Sequence, residues 1–276
     1  MIAFDFAYFR PNTLKEATEI YKQIALTGKT PVYYGGGTEI ISMARTGSVK
    51  FDAVIDIKSI PECTTLCVES DRLIIGSAVT LTKIAESGCF PLLGETVSRI
   101  ADHTIQGKIT IGGNIAGTII YREAALPLMI TNSKVKIIRK NRLHDVPFFD
   151  VFDGDLHLQK GELIVQFLID KNYLNLPYCH VKKTKLDKID YPLLSMAAIK
   201  TNNGISAAVS GLGDKPFLLP GKILNETDIP ETIRVDKTIA AIQNNIISDL
   251  IIASKEYRVF VLKNVLTQMF HNFKGA

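Results

Sequence analysis

The sequence predicts an α+β fold divided into more than one domain, and three observations carry that expectation. Short β-prone runs alternate with segments of helical period through the first half of the chain. Two glycine-rich stretches, Gly35-Gly36-Gly37 and Gly112-Gly113, each follow a β-prone run. After residue 176 the pattern changes: two alternating runs flank Asn202-Asn203-Gly204, the signal of an antiparallel hairpin, and helices follow. A chain of 276 residues can bury cores for two or more such units.

Taken in order, residues 4–9 alternate weakly before Pro11. Residues 13–25 place apolar side chains at helical spacing, with Thr13 and Glu16 spaced as a capping box and Gly28 as the stop. Pro31-Val32-Tyr33-Tyr34 is a short strand that runs into the glycines. A helix over 38–45, a turn at Gly47 and a strand over 53–57 complete a compact βαβ-like opening. Without a Cβ, glycine adopts positive φ and lets backbone amides approach a bound group. Such amides form a nest for anionic oxygens, so a phosphate or pyrophosphate is a suitable guest. A tight strand-to-helix connection without any ligand fits the same residues. The stretch lacks the Lys-Ser/Thr of a nucleotide-triphosphatase loop and the spacing of a dinucleotide fingerprint.

Strands over 67–69 and 73–76 bracket a hairpin turn at Ser70-Asp71, and short helices are expected over 80–86 and 92–101. Residues 109–117 form the second glycine-rich segment, where Thr110 offers a hydroxyl and Asn114 both a donor and an acceptor. A β-turn or bulge forced by Gly112-Gly113 is the alternative reading. Two such turns together suit one extended ligand of dinucleotide length. Residues 124–129 read as a buried helix broken or bent near Pro127, and 135–139 and 163–169 as strands. The aromatic run 146–152 reads as core packing before a partner or flavin face. Lys182-Lys183-Thr184-Lys185, with Lys188 close behind, reads as a solvated basic face, with cofactor contact as the other reading. A last helix over 257–270 carries Val261, Leu262, Val265, Leu266 and Met269 on one side.

Composition narrows the function. The chain is 46% hydrophobic and 22% charged with a formal net charge of +4, and it has no dense basic stripe, which argues against nucleic-acid binding. No run reaches the length of a membrane span, and the N-terminus lacks the pattern of a signal peptide. Cys63, Cys67, Cys89 and Cys179 are too irregular for a disulfide framework or an iron–sulfur cluster of the chain's own, so a cytoplasmic protein is expected. The five histidines are scattered, and neither His-Glu-x-x-His nor a G-x-S-x-G elbow is present. Ligand-holding turns without a protein nucleophile suit a cofactor that performs its own chemistry.

Read together, these segments resemble the FAD-binding subunit, or medium chain, of the molybdenum hydroxylases, the family of xanthine dehydrogenase and aerobic carbon monoxide dehydrogenase. Tyr34-Gly35-Gly36-Gly37-Thr38-Glu39 is similar to the family's first flavin-dinucleotide loop and Thr110-Ile111-Gly112-Gly113-Asn114 to its second. Supporting similarities are Val54-Ile55-Asp56-Ile57, Ile75-Gly76-Ser77-Ala78-Val79-Thr80, Lys160-Gly161-Glu162-Leu163-Ile164 and Tyr257-Arg258. The resemblance implies two FAD-binding subdomains of the PCMH type, 1–57 and 58–175, and a C-terminal domain, 176–276, with a small antiparallel sheet and a helical bundle. It implies that Tyr34 to Glu39 and Thr110 to Asn114 hold the dinucleotide, with Glu123 and Lys182 also near the cofactor. The implied partners are a [2Fe–2S] subunit and a molybdenum cofactor-binding subunit in a heterotrimeric complex. Electrons would pass through FAD to NAD+ or another acceptor, and xanthine dehydrogenase is the first expectation. A carbon monoxide or aromatic-substrate dehydrogenase, a flavin-free assembly module and a stand-alone flavin oxidase are the alternatives. Three departures stand out: Thr104-Ile105-Gln106-Gly107 lacks the family's arginine, Glu123 replaces an aspartate, and Gly35 replaces an alanine.

Overall fold

A computed structural model describes residues 1–185, 190–246 and 253–274, so Lys188 lies outside the described residues. The opening unit contains β1 (Ala7–Phe9), α1 (Leu14–Leu26), β2 (Pro31–Tyr34), α2 (Thr38–Thr46) and β3 (Ala53–Asp56). Its three strands form a parallel sheet in the order β1-β3-β2. The Thr13 hydroxyl caps α1 by accepting from the Glu16 amide, and the Glu16 carboxylate reaches back to the Asn12 amide. The parallel register sets Tyr34 beside Asp56, which gathers the C-terminal strand ends at one edge.

The second unit begins with α3 (Pro61–Thr64) and the hairpin β4 (Leu66–Glu69) and β5 (Arg72–Gly76). Five short helices follow: α4 (Leu81–Ser87), α5 (Pro91–Val97), α6 (His103–Gln106), α7 (Ile111–Ala116) and α8 (Ala125–Ile130). Then come β6 (Lys134–Arg139), β7 (Arg142–Pro147) and β8 (Leu163–Asp170). The strands make an antiparallel sheet in the order β4-β5-β8-β6-β7. Sequence reasoning missed α3, α6 and β7; the first two are single turns, and β7 is a mostly exposed edge strand without apolar alternation. The helix expected over 92–101 ends at Val97, and Ala101 takes a left-handed φ of +56°. Nor does Pro127 break α8, which runs through it from Ala125 to Ile130. It is the third residue of the helix, where its missing N–H has no intrahelical acceptor to lose.

The C-terminal unit holds β9 (Tyr178–Thr184), β10 (Pro192–Thr201), β11 (Gly204–Ser210) and β12 (Phe217–Leu218) in the antiparallel order β12-β11-β10-β9. It ends in α9 (Gly221–Leu224), α10 (Glu231–Ala241) and α11 (Lys255–Lys274). The expected hairpin is present, with Thr201 paired to Gly204 across Asn202-Asn203. Leu194, Met196 and Ala198 of β10 pack with Val261, Leu262, Val265, Leu266 and Met269 of α11. Ala197 and Ile199 join the core of the second unit, which includes most of α8. Burial on both faces is why β10 reads as a nearly continuous apolar run. A smaller core, with Ile55, Ile57, Ile138, Leu163 and Val165, joins the first unit to the second. The architecture is therefore α+β, as the sequence implied.

Candidate cofactor site

The first glycine segment turns the chain from β2 into α2. Only Gly37 has positive φ, +76°, a conformation that L side chains rarely adopt. Gly35 and Gly36 answer to close approach instead. A Cβ on Gly36 would stand 1.9 Å from the Lys108 carbonyl oxygen, and one on Gly35 2.7 Å from Thr110 Oγ1. The first loop thus lies directly on residues 108–110, which lead into the second glycine segment. Because Gly37 has no side chain to cap α2, the first-turn amides of Thr38, Glu39 and Ile40 are left without a capping acceptor.

The second segment departs from expectation. Gly112-Gly113 is neither a turn nor a bulge but the first turn of α7, capped by Thr110. Its amides are already used. Ile111 N donates to Val79 O at 3.0 Å, Gly112 N to Ser77 O at 2.9 Å, and Asn114 N to Thr110 O at 2.9 Å. Gly113 N donates to Thr110 Oγ1 at 3.1 Å. A Cβ on Gly112 would come within 2.7 Å of the Ser77 carbonyl oxygen, whereas one on Gly113 would meet only Thr110 Oγ1, at 3.0 Å. Gly112 is required by packing, and Gly113 leaves an open side next to the first loop's contact.

Side chains lock the two segments together. Glu39 Oε1 accepts from both the amide and the hydroxyl of Thr118, each at 2.7 Å. Asn114 Oδ1 accepts from the Ala124 amide at 3.2 Å. Lys58, which sequence reasoning did not single out, donates to the Gly35 carbonyl at 2.8 Å and pairs with Asp56 at 2.8 Å. Its ammonium also stands 4.3 Å from the centre of the Tyr34 ring. The Tyr8 hydroxyl donates to the other Asp56 oxygen. Burial pushes the Asp56 carboxyl up, but the hydrogen bonds from Lys58 and Tyr8 outweigh it and hold the group below its ordinary 3.8. Burial raises the Tyr34 phenol, so it stays neutral. The signal for this cluster was in the sequence: in a parallel sheet Asp56 ends the strand beside Tyr34, and ligands gather at such strand ends.

Glu123 and Lys182 meet each other, and neither side chain bonds to an amide of the two loops. Lys182 Nζ pairs with Glu123 Oε2 at 2.9 Å and donates to the Arg99 carbonyl at 2.7 Å, and both side chains are buried. Lys182 is therefore not part of a solvated basic face; β9 turns it inward against the second unit. The pair is buried, and the second oxygen, Glu123 Oε1, has no hydrogen-bond partner. Neighbouring Arg122, at a left-handed φ of +33°, ties Gly117 O to Asp155, at 2.7 Å to each. Where the family's arginine is missing, the Gln106 amide bonds to Ser98 O and Ala101 O at 2.8 and 3.0 Å, inside the protein. Phe148 and Phe152 are stacked and fully buried, so those two residues of the aromatic run are core. Among the described residues, no cluster of His, Cys, Asp or Glu suits a metal ion, and no helix is long and apolar enough to cross a membrane.

Residues 4–170 match the family model for the FAD-binding domain in molybdopterin dehydrogenase. The chain belongs to this FAD-binding family. Its cofactor is FAD, and the uncapped amides at the start of α2 fit the anionic pyrophosphate of such a group. Among curated relatives, the chain is 26% identical over 179 residues to the nicotinate dehydrogenase FAD-subunit of Eubacterium barkeri, covering 60% of this chain and 59% of that one. It is 29% identical over 120 residues to the carbon monoxide dehydrogenase medium chain of Hydrogenophaga pseudoflava, covering 42% and 41%. These matches span well under two thirds of the relatives' lengths. In fold, the chain resembles a carbon monoxide dehydrogenase from Hydrogenophaga pseudoflava that lacks the Mo-pyranopterin moiety, with a TM-score of 0.86, 19% identity and 99% and 98% of the two chains covered. Quinoline 2-oxidoreductase from Pseudomonas putida 86 gives a TM-score of 0.84 at 18% identity, covering 100% and 99%. The family model ends at residue 170, and the likeness in fold also covers the C-terminal unit.

Proposed function

We propose that this FAD-binding chain is the electron-transfer subunit of a molybdenum-hydroxylase complex. One observation carries the site: the glycine loop that leads into the uncapped first turn of α2 sits directly on the segment that enters α7, so one dinucleotide can touch both. Backbone amides from Gly35 to Glu39 hold the pyrophosphate, while Thr110 to Asn114 form the facing wall. Tyr34, braced by Lys58, shapes the loop's entrance. Glu39 closes the wall by clamping Thr118 rather than by meeting the ligand. Glu123 and Lys182, the other residues expected near the cofactor, brace the C-terminal unit against the cofactor-holding units through their buried ion pair. The domain divisions 1–57, 58–175 and 176–276 follow the three sheets.

FAD held by these residues would supply the redox chemistry, one-electron exchange with a [2Fe–2S] partner and two-electron exchange with NAD+ or another acceptor. The chain's own residues position the cofactor and exclude water; none is placed as a general acid or base. The molybdenum centre and the clusters are assigned to partner subunits. For the complex's substrate, the relatives named above support a carbon monoxide or aromatic-substrate dehydrogenase over xanthine dehydrogenase. Among these, an N-heteroaromatic compound is our choice, because nicotinate and quinoline appear in the names of two similar proteins. Purification of the native complex tests the reading. Flavin absorption, FAD by mass spectrometry, and co-purifying iron–sulfur and molybdenum subunits are expected; an intact complex without flavin, or a monomer that turns over substrate alone, would end it.

A further inference from the structure

A second site is built at the seam between the first two units, away from the glycine loops. A cavity of about 430 Å³ opens between α1, the β6–β7 hairpin tip and the loop before β8. That volume falls within the range of small-molecule sites. Its floor is apolar: the Tyr21 ring, Ala25 and Ile138. Its rim is cationic. Lys22, Lys140 and Lys160 line it, and among the described residues none of the three has a carboxylate within 4.0 Å. The other two charged lining residues cancel, because Arg139 closes its guanidinium on Glu162 at 2.5 and 3.3 Å.

This charge arrangement selects a ligand chemistry. The one arginine fork at the site, which could grip a carboxylate or a phosphate in bidentate fashion, is already spent on Glu162, so the free charge is carried by lysines alone. Three free ammonium groups act as point charges, which suits the higher and more diffuse charge of a phosphate monoester. The apolar floor adds a place for an organic body. The walls are firm as well. Tyr21 stacks on Tyr33 with ring centres 5.1 Å apart, and the Tyr33 hydroxyl donates to Gly161 O at 3.1 Å. Lys140 and Asn141 hold the hairpin tip in left-handed conformations, φ +49° and +60°.

We propose that this seam binds an organic phosphate of about the size of a nucleoside monophosphate, bridging the first and second units. Tyr33 directly precedes Tyr34 in β2, and successive strand side chains point to opposite faces. The seam ligand and the first glycine loop therefore share one strand from opposite sides.

Titration calorimetry on the FAD-loaded protein, in which the flavin site is already filled, tests the proposal with AMP, adenosine and inorganic phosphate. AMP should bind, adenosine should not, and Lys22→Ala/Lys160→Ala should weaken AMP by about tenfold or more. Both lysines are exposed, so circular dichroism should show an unchanged fold. Phosphate alone should bind more weakly than AMP because it leaves the floor bare. No heat at millimolar AMP, equal affinity for adenosine, phosphate as tight as AMP, or an unaffected double variant would each overturn the proposal.

Discussion

The two glycine segments look alike in sequence and differ in what their backbones do. At Gly35-Gly36-Gly37 the helix that follows begins on a residue with no side chain, and its first-turn amides go uncapped. At Gly112-Gly113 every first-turn amide already has a partner, from Thr110, Ser77 or Val79. One loop leaves the first-turn amides of its helix open, and the other has spent them. The difference teaches that glycine marks a crowded backbone as readily as an open one. Only an account of where each N–H goes separates the two cases.

The sharpest break of this comparison is Gly36→Ala. Its Cβ would stand 1.9 Å from a backbone carbonyl oxygen that cannot swing away, so the loop must lift off residues 108–110. We expect a loss of about 3 kcal/mol in stability and of most FAD binding, read by denaturant unfolding and by flavin retention on gel filtration. Gly112→Ala meets Ser77 at 2.7 Å and should cost about 2 kcal/mol, with a weaker effect on FAD, because the packed wall shifts but the open amides remain. If Gly112→Ala instead strips FAD as fully as Gly36→Ala, the division of labour between the loops is wrong.

Thr110→Ala removes the cap on α7 and should cost about 1 kcal/mol while leaving FAD affinity close to wild type. The smallest effect concerns pH. Lys58 and Tyr8 hold the Asp56 carboxyl below its ordinary 3.8, so the ionised form stabilises the folded chain. That contribution is fully present above the ordinary value and is lost as pH falls through the lower folded value. Stability measured between pH 6 and pH 3 should therefore drop less steeply in Asp56→Asn than in the native chain; equal slopes would remove Asp56 from the bracing of the first loop.

Much of the fold was legible because it rests on local signals. Thr13 with Glu16, Asn202-Asn203-Gly204 and the apolar face of α11 each act within a few residues. Of the candidate site, the sequence marked both glycine segments, and these lie against each other. What escaped was non-local. That Gly112-Gly113 is helical depends on the carbonyls of Ser77 and Val79, more than thirty residues earlier. Lys182 sits in a basic run yet is buried, because β9 turns it toward Glu123 in another unit. Lys58 matters only once β2 and β3 lie side by side. In each case the deciding partner is distant in the chain, and periodicity does not report it.

The most direct measurement is a crystal structure of the FAD-loaded chain. The account predicts pyrophosphate oxygens within about 3.2 Å of the backbone amides at the start of α2, with α7 as the wall behind them. A dinucleotide whose phosphates lie on α7, or outside the space between the two segments, would contradict it.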